Sequence, residues 1–148
     1  MSLVGIFNIA GSGMSAQSIR LNTTASNLAN AQSVSSNTLD TYRARHPVFA
    51  TVKGNIDADE PDAFRDGAFS RTGKGVRGLG IVESQAPLQL RFEPQHPMAD
   101  DKGYVTYPNV NIVEEMTDMI SASRSFQMNV EVMNTAKTMM QKVLTLGR

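Results

Sequence analysis

Hydrophobic residues recur at heptad spacing near the end of the chain, and the pattern predicts a long amphipathic helix over residues 109–146. The apolar positions alternate in steps of four and three, and polar residues occupy two of them. The repeat consists of Ile112, Met116, Met119, Ser123, Phe126, Val130, Met133, Lys137, Met140 and Leu144. At about 1.5 Å per residue, such a helix is too long for most compact domains of this size, so we expect it to require a partner.

A second, weaker heptad covers residues 3–31 and predicts an N-terminal helix. Its apolar edge consists of Phe7, Met14, Leu21 and Leu28. We expect this edge to lie against the apolar heptad positions of the C-terminal helix. Arg20 is the only charged residue before position 40, which is typical of a helix with protein on several sides. Its glycines disfavour an isolated helix, so we expect it to fold on binding. Composition alone leaves a flexible Ser-, Asn- and Thr-rich leader as the alternative.

Short apolar runs bounded by proline and glycine follow, and these are typical of strands. They fall at residues 48–52, 80–84, 88–92 and 104–108. A polar linker over residues 32–40 precedes them, and residues 53–80 are rich in glycine and charge, which predicts an exposed, mobile loop.

The sequence therefore predicts an α+β fold in three segments. Residues 1–39 form an N-terminal helix and linker, and residues 40–108 form a small β-rich module with the mobile loop. Residues 109–148 form the C-terminal helix, which we expect to pair with the N-terminal helix as a long coiled coil.

Composition argues against several classes of protein. Lys+Arg and Asp+Glu both total 14, so no basic excess favours nucleic acid or an anionic membrane. The absence of cysteine excludes disulfides and cysteine metal sites. No apolar run approaches the roughly 18 residues of a membrane span. The apolar start lacks a preceding Lys or Arg, so we expect no cleaved secretory signal.

Each motif that might carry chemistry has a simpler interpretation. Residues 73–78 match G-x-G-x-x-G, but a strand is predicted after them where dinucleotide binding requires a helix. The acidic run at residues 57–62 lacks the closing glutamate of a calcium loop. His46 and His96 have no supporting pattern for a zinc site or a catalytic pair. We therefore predict no enzymatic activity, no cofactor and no metal.

Both ends of the chain resemble the bacterial flagellar axial proteins, the rod and hook family. Near the N-terminus, an Asn-hydrophobic-Ala-Asn signature is formed by Asn27, Leu28, Ala29 and Asn30. Tyr42 and Arg43, further along the chain, belong to the same resemblance. The C-terminal resemblance is narrower, because it is to the proximal rod proteins of that family. It covers residues 103–105, 107–111, 113–116, 119–126 and 131–137. The middle of the chain contributes little to it.

This resemblance implies a structural subunit of the flagellar basal-body rod. Members of the family pair their terminal helices into an inner layer, polymerise into a tube across the periplasm and transmit motor torque. The implied partners are further copies of the chain, other rod proteins, basal-body ring and rod-junction proteins, and the type III flagellar export apparatus, which exports the chain without cleaving a signal. No nucleic-acid partner and no transmembrane segment are expected.

The residues predicted to form the assembly seam are the apolar heptad positions of the two helices. They are Phe7, Met14, Leu21, Leu28, Ile112, Met116, Met119, Phe126, Val130, Met133, Met140 and Leu144. The alternative function is a soluble helical adaptor or chaperone of an export system, in which the two helices form a stable intramolecular hairpin. An enzyme built on the middle module has no motif to support it.

Overall fold

The computed structural model describes residues 3–52 and 74–146 and has an α+β fold. Within these residues, two long helices come before and after four strands in chain order. In order, the elements are α1 (Leu3–Asn30), β1 (Arg45–Thr51), β2 (Val76–Glu83), β3 (Gln89–Phe92), β4 (Tyr104–Tyr107) and α2 (Ile112–Leu146). Both predicted helices are confirmed, and each predicted strand has a counterpart. Most of the loop predicted at residues 53–80 lies outside the described residues, and its final residues belong to β2.

The chain divides into two compact units, each built from segments that are distant in sequence. Unit 1 contains Met1–Ser18, Phe49–Leu79 and Arg124–Arg148, and unit 2 contains Ile19–Val48 and Gly80–Ser123. Both helices contribute to both units. The division of the sequence into three consecutive segments, like the pairing of the two helices as a coiled coil, stays a prediction.

The core of unit 2 is small and is built from small side chains. Ala31, Ala44 and Val110 are buried together, and Tyr42 and Ile112 pack against them. Helix α2 begins beside this core, where the Val113 amide donates to Asn111 Oδ1 at 3.2 Å. Asn111 therefore acts as the N-cap that starts the helix.

Strands β3 and β4 form an antiparallel pair in unit 2. The register runs from Gln89 opposite Tyr107 to Phe92 opposite Tyr104. Because side chains alternate across a strand, the pair has two different faces. One face carries Val105, which is fully buried, and Arg91, whose guanidinium lies 4.5 Å from the centre of the Tyr107 ring. The other face carries Thr106, which is buried, together with apolar side chains that remain exposed.

In unit 1, the glycine-rich segment before β2 lies close to α1. The Val76 amide donates to Ser12 Oγ at 3.1 Å. Gly75 has a φ of +136°, and a Cβ at this position would collide with Ser12 Oγ. Gly75 is therefore required by the chain's own packing. The strand predicted after these glycines is present as β2.

A close approach also occurs between the two helices within unit 1. A Cβ added to Gly13 would lie 3.0 Å from Asn129 Oδ1, which is tighter than ordinary contact. Gly11 lies against the methyl end of Met133. Glycine at these two positions lowers helix propensity but brings the α1 backbone close to α2 side chains.

The most buried positions of α2 form one row at heptad spacing. Glu115, Ala122 and Ala136 are buried, and Asn129 between them is half-buried. This row lies next to the predicted row that contains Ser123 and Lys137. All residues of that predicted row are half-buried or exposed. Polar residues are tolerated in it because they lie at the margin of the buried stripe.

Replacing Gly103 with alanine is expected to destabilise unit 2 by about 1–3 kcal/mol. Gly103 has a φ of +77°, and a Cβ there would lie 3.0 Å from Phe92 Cε2 and 3.1 Å from Pro94 Cβ. Urea unfolding measures the change. The matched control is Asp101→Ala in the same turn, where the side chain is exposed and a change within about 0.5 kcal/mol is expected. Equal effects of the two substitutions would contradict this account of Gly103.

Candidate functional site

Asn27 is the centre of a hydrogen-bonded cluster in unit 2. Its side chain is only 1% exposed. The amide nitrogen Nδ2 donates to the Arg45 carbonyl oxygen at 2.8 Å and to Glu115 Oε1 at 2.7 Å. The amide oxygen Oδ1 accepts from the Arg45 backbone N–H at 2.9 Å and from the Tyr42 hydroxyl at 2.8 Å.

These four bonds use the full hydrogen-bonding capacity of the Asn27 amide. We call Asn27, Tyr42, Arg45 and Glu115 the Asn27 cluster. The cluster joins three parts of the fold, because its members lie on α1, on the segment that enters β1, and on the first turn of α2. A side chain with this pattern of two donors and two acceptors fixes the positions of all its partners at once.

Glu115 is the one carboxyl group in this cluster, and it is only 6% exposed. Burial raises the pKa of the Glu115 carboxyl above its usual value of 4.5. The hydrogen bond from Asn27 and the charge of His46 oppose this rise, and the neighbouring Asp118 and Glu114 reinforce it. A buried carboxylate that receives one strong hydrogen bond is tolerated, whereas one without a donor would be costly.

Arg45 adds a cation–π contact and an ion pair to the cluster. Its guanidinium lies 5.4 Å from the centre of the Tyr42 ring and 3.1 Å from Glu83 Oε1. The Arg45 and Glu83 side chains are both about half-exposed, so the ion pair contributes little. The two hydrogen bonds between the Arg45 backbone and the Asn27 side chain therefore matter more than the charge of Arg45.

Two further polar side chains fix the turn that follows β2. Arg43 donates to the Ser84 and Ala86 carbonyl oxygens at 3.3 and 3.4 Å. Asn109 donates to the Ala86 carbonyl oxygen at 3.0 Å and accepts from the Ala44 N–H at 2.8 Å. The segments around residues 44, 86 and 109 are thereby joined just before α2 begins.

The remaining signature residues have local roles. Asn30 donates to the Ser26 carbonyl oxygen of its own helix at 2.8 Å, near the C-terminus of α1. Leu28 is half-buried and Ala29 is exposed. The structure therefore brings Asn27 and Tyr42 into direct contact, and it places the Arg43 side chain against the turn that follows β2. It does not bring Asn30 into the cluster.

The predicted seam residues occupy different depths. Most are half-buried: in unit 1 these are Phe7, Met14, Phe126, Val130, Met133 and Met140, and in unit 2 they are Leu21, Leu28, Ile112 and Met119. Met116 and Leu144 are exposed. A role for these residues in assembly stays a prediction.

The predicted site residues did not include Glu115, Asn109 or Arg45. One signal was present for Glu115, because it lies three residues after Ile112 and four before Met119, on the stripe that faces inward. A charged residue at such a position requires a buried partner. Arg45 is bound mainly through its backbone, which leaves no side-chain signal.

The arrangement holds distant segments of the chain together. Within residues 3–52 and 74–146, no group of three or more His, Asp or Glu side chains lies close enough to hold a metal ion. Neither of the two described helices combines the length and apolarity that a membrane crossing requires.

Two family models match the chain. Residues 7–35, which contain Asn27, match the model described as Flagella basal body rod protein. Residues 101–146, which contain Asn109 and Glu115, match the model described as Flagellar basal body rod FlgEFG protein C-terminal. The segments that meet in the Asn27 cluster thus carry the features of flagellar basal-body rod proteins.

Curated relatives extend the similarity over the full length. The flagellar basal-body rod protein FlgC of Salmonella typhimurium is 50% identical over 148 residues, which is 100% of both chains. FlgC of Escherichia coli O6:H1 is 51% identical with the same coverage. FlgC of Borreliella burgdorferi is 37% identical over 99% of this chain and 98% of that protein. This chain belongs to the FlgC family of flagellar basal-body rod proteins.

Replacing Asn27 with alanine is expected to lower the free energy of unfolding by roughly 2–5 kcal/mol, because it leaves several buried polar groups without partners. Urea unfolding of the full chain measures the loss. The matched control is Asn30→Ala, which removes a bond within one helix and is expected to cost less than about 1 kcal/mol. A larger loss for Asn30→Ala would refute the central position of Asn27.

A pH dependence follows from Glu115. Because its pKa is raised on folding, the folded chain retains this proton at pH values where the unfolded chain has lost it. Protonated Glu115 therefore contributes to the free energy of unfolding below pH 4.5, and this contribution is lost as the pH rises through the raised pKa. The free energy of unfolding of the wild type should therefore decline as the pH rises from 4.5 through that pKa.

The variant Glu115→Gln should remove this pH dependence while retaining a side-chain oxygen that accepts the hydrogen bond from Asn27. We expect the variant to be at least as stable as the wild type at neutral pH. Glu114→Gln, on the exposed side of the same turn, provides the control and should keep the wild-type decline. A wild-type profile that persists in Glu115→Gln would assign the dependence to another group.

Proposed function

We propose that this chain is a structural subunit of the rod of the bacterial flagellar basal body and that it polymerises through its terminal helices. The proposal rests on its membership of the FlgC family together with one structural observation. Large apolar side chains remain exposed along almost the whole of α2. They are Val113, Met116, Ile120, Met128, Val132, Met139, Val143 and Leu144.

Exposed apolar residues at this density are unusual for an isolated chain in water. Burial of a large apolar side chain contributes about 1.5–3 kcal/mol, so a neighbour that covers α2 gains substantially from the contact. This supports a role in which the subunit reaches its full stability only among other subunits. The half-buried seam positions add apolar surface that a neighbour can cover further.

In this proposal, residues 1–39 and 109–148 provide the helices of an inner rod layer, and residues 40–108 form the module around them. Within unit 2, the Asn27 cluster holds the start of β1 to α1 and to the first turn of α2. A hydrogen-bonded connection of this kind suits a component that transmits torque across the periplasm for cell motility. The role is structural rather than enzymatic.

The proposed partners are further copies of the chain, other rod proteins, and the ring and rod-junction proteins of the basal body. Export of the chain before assembly, through the flagellar type III apparatus and without cleavage of a signal, belongs to the same proposal. The nearly uncharged α1, with Arg20 as its only charged residue, suits a helix that is surrounded by protein after assembly.

The alternative, a soluble adaptor or chaperone, is not favoured by the family to which the chain belongs. Circular dichroism of the dilute monomer separates the two functions. An adaptor with a stable helical hairpin should have strong helical signal and cooperative melting. A rod subunit should have weaker helical signal that increases on association.

Replacing Phe126 with aspartate is expected to block incorporation into the rod and to abolish motility, because a half-buried apolar position receives a charge. Secretion of the chain should remain close to wild type. Swimming in soft agar and the amount of chain in isolated basal bodies measure assembly, and the chain in the external medium measures export.

The control for this experiment is Gln127→Asp, which places the same charge at the adjacent, exposed position of α2. We expect normal incorporation and motility for it. Met119→Asp tests the seam independently in unit 2. Normal motility of both Phe126→Asp and Met119→Asp would exclude the seam as the assembly surface.

A further inference from the structure

One face of the β3–β4 hairpin exposes three large apolar side chains, although Thr106 on the same face is buried. Leu90, Phe92 and Tyr104 lie on this face, and their exposed fractions are 63%, 65% and 46%. We call these three residues the hairpin patch. Aromatic side chains such as Phe92 and Tyr104 are enriched in protein–protein interfaces.

The hairpin patch is held in a defined conformation before any partner binds. The Phe92 and Tyr104 rings lie edge to face, with 5.3 Å between their centres. The positive φ of Gly103 and its lack of a Cβ allow the turn to pass directly beneath the Phe92 ring. A patch that is already ordered loses little conformational entropy when it docks.

A groove of complementary chemistry lies on unit 1. Its apolar lining consists of Ile6, Met128, Val132, Ala136 and Met139, and its volume is about 450 Å³. We call it the methionine groove. Methionine side chains adapt to the shape of a bound group, and their sulfur atoms make favourable contacts with aromatic rings. The groove therefore suits an aromatic partner such as Phe92.

The charged residues beside the hairpin patch and beside the methionine groove give the two surfaces net charges of opposite sign. Asp100, Asp101 and Lys102 lie in the turn that closes the hairpin, with a net negative charge. On α2, Arg124 lies four residues before Met128, and Lys142 lies three after Met139, so helical periodicity places both beside the groove. Together with Glu131, which lines the groove, these residues have a net positive charge.

We propose that the hairpin patch of one copy of this chain docks in the methionine groove of the next copy. This inference rests on the proposed polymerisation and identifies one of its contacts. The patch and the groove are different surfaces of the same chain, so the contact is heterologous and repeats from subunit to subunit without closing on itself. The opposite charges orient the approach of the two surfaces.

Disulfide cross-linking between copies tests this contact, because the natural chain has no cysteine. Cells produce two differently tagged copies, one with Phe92→Cys and one with Met139→Cys, and basal bodies are isolated and oxidised. We expect a disulfide-linked pair that carries both tags. Gln141→Cys replaces Met139→Cys as the control, since Gln141 is exposed and lies two residues further along α2, on the opposite side of the helix, and it is expected to link at least ten-fold less.

The possible outcomes are distinct. A pair with both tags, absent from the control, supports the contact. Basal bodies that contain both variants but yield no such pair overturn the contact and leave the proposed rod function intact. If the wild-type chain is itself absent from basal bodies, the rod function fails and the contact fails with it.

A charge exchange gives a second readout that does not depend on cysteine. Asp100→Lys with Asp101→Lys should reduce swimming by several-fold, and Arg124→Glu with Lys142→Glu should do the same. The four substitutions together should restore most of the loss if the two surfaces meet. A loss in the fourfold variant equal to the sum of the two effects would overturn the contact.

Discussion

The hydrogen bond between the buried Asn27 amide and the Glu115 carboxyl is the interaction on which the rest of unit 2 depends. It joins α1 to the first turn of α2 across 88 positions of sequence. The same amide also holds the backbone of Arg45, so the start of β1 is fixed with the helices. Without this side chain, each of these segments would have to satisfy its polar groups in another way.

A hydrogen-bonded junction of this kind specifies the geometry of the joined segments more closely than an apolar core does. The buried apolar residues of unit 2 are mainly alanine and valine, which contribute modest stability and little directional preference. Hydrogen bonds from Asn27 and Asn109 require defined distances and angles, so they specify one arrangement of the joined segments. The chain thus combines a hydrogen-bonded junction with large exposed apolar surfaces, which other subunits cover in the proposed function.

This combination agrees with the features of a rod subunit. The exposed apolar residues of α2 and of the β3–β4 hairpin lie on regular elements whose geometry the chain itself defines. Docking surfaces on ordered elements lose less entropy on association than surfaces on loops. Each copy can then present the same surfaces to its neighbours, which is the condition for a regular polymer.

The sequence by itself determined the elements of this protein. Heptad spacing predicted both helices, short apolar runs bounded by proline and glycine predicted the strands, and the Asn27 signature indicated the family. These features are local, because helix and strand periodicities are written in residues a few positions apart. The strand after the glycines at 73–78 was likewise predictable from the neighbouring residues.

Only the tertiary structure decided which row of α2 faces inward and which residues complete the junction. The predicted rows included Met116 and Leu144, which are exposed, whereas the buried row contains Glu115. Periodicity places apolar residues on one side of a helix but does not select among adjacent rows when small residues allow close packing. The partner of Glu115 lies 88 positions away, so no local pattern could identify it.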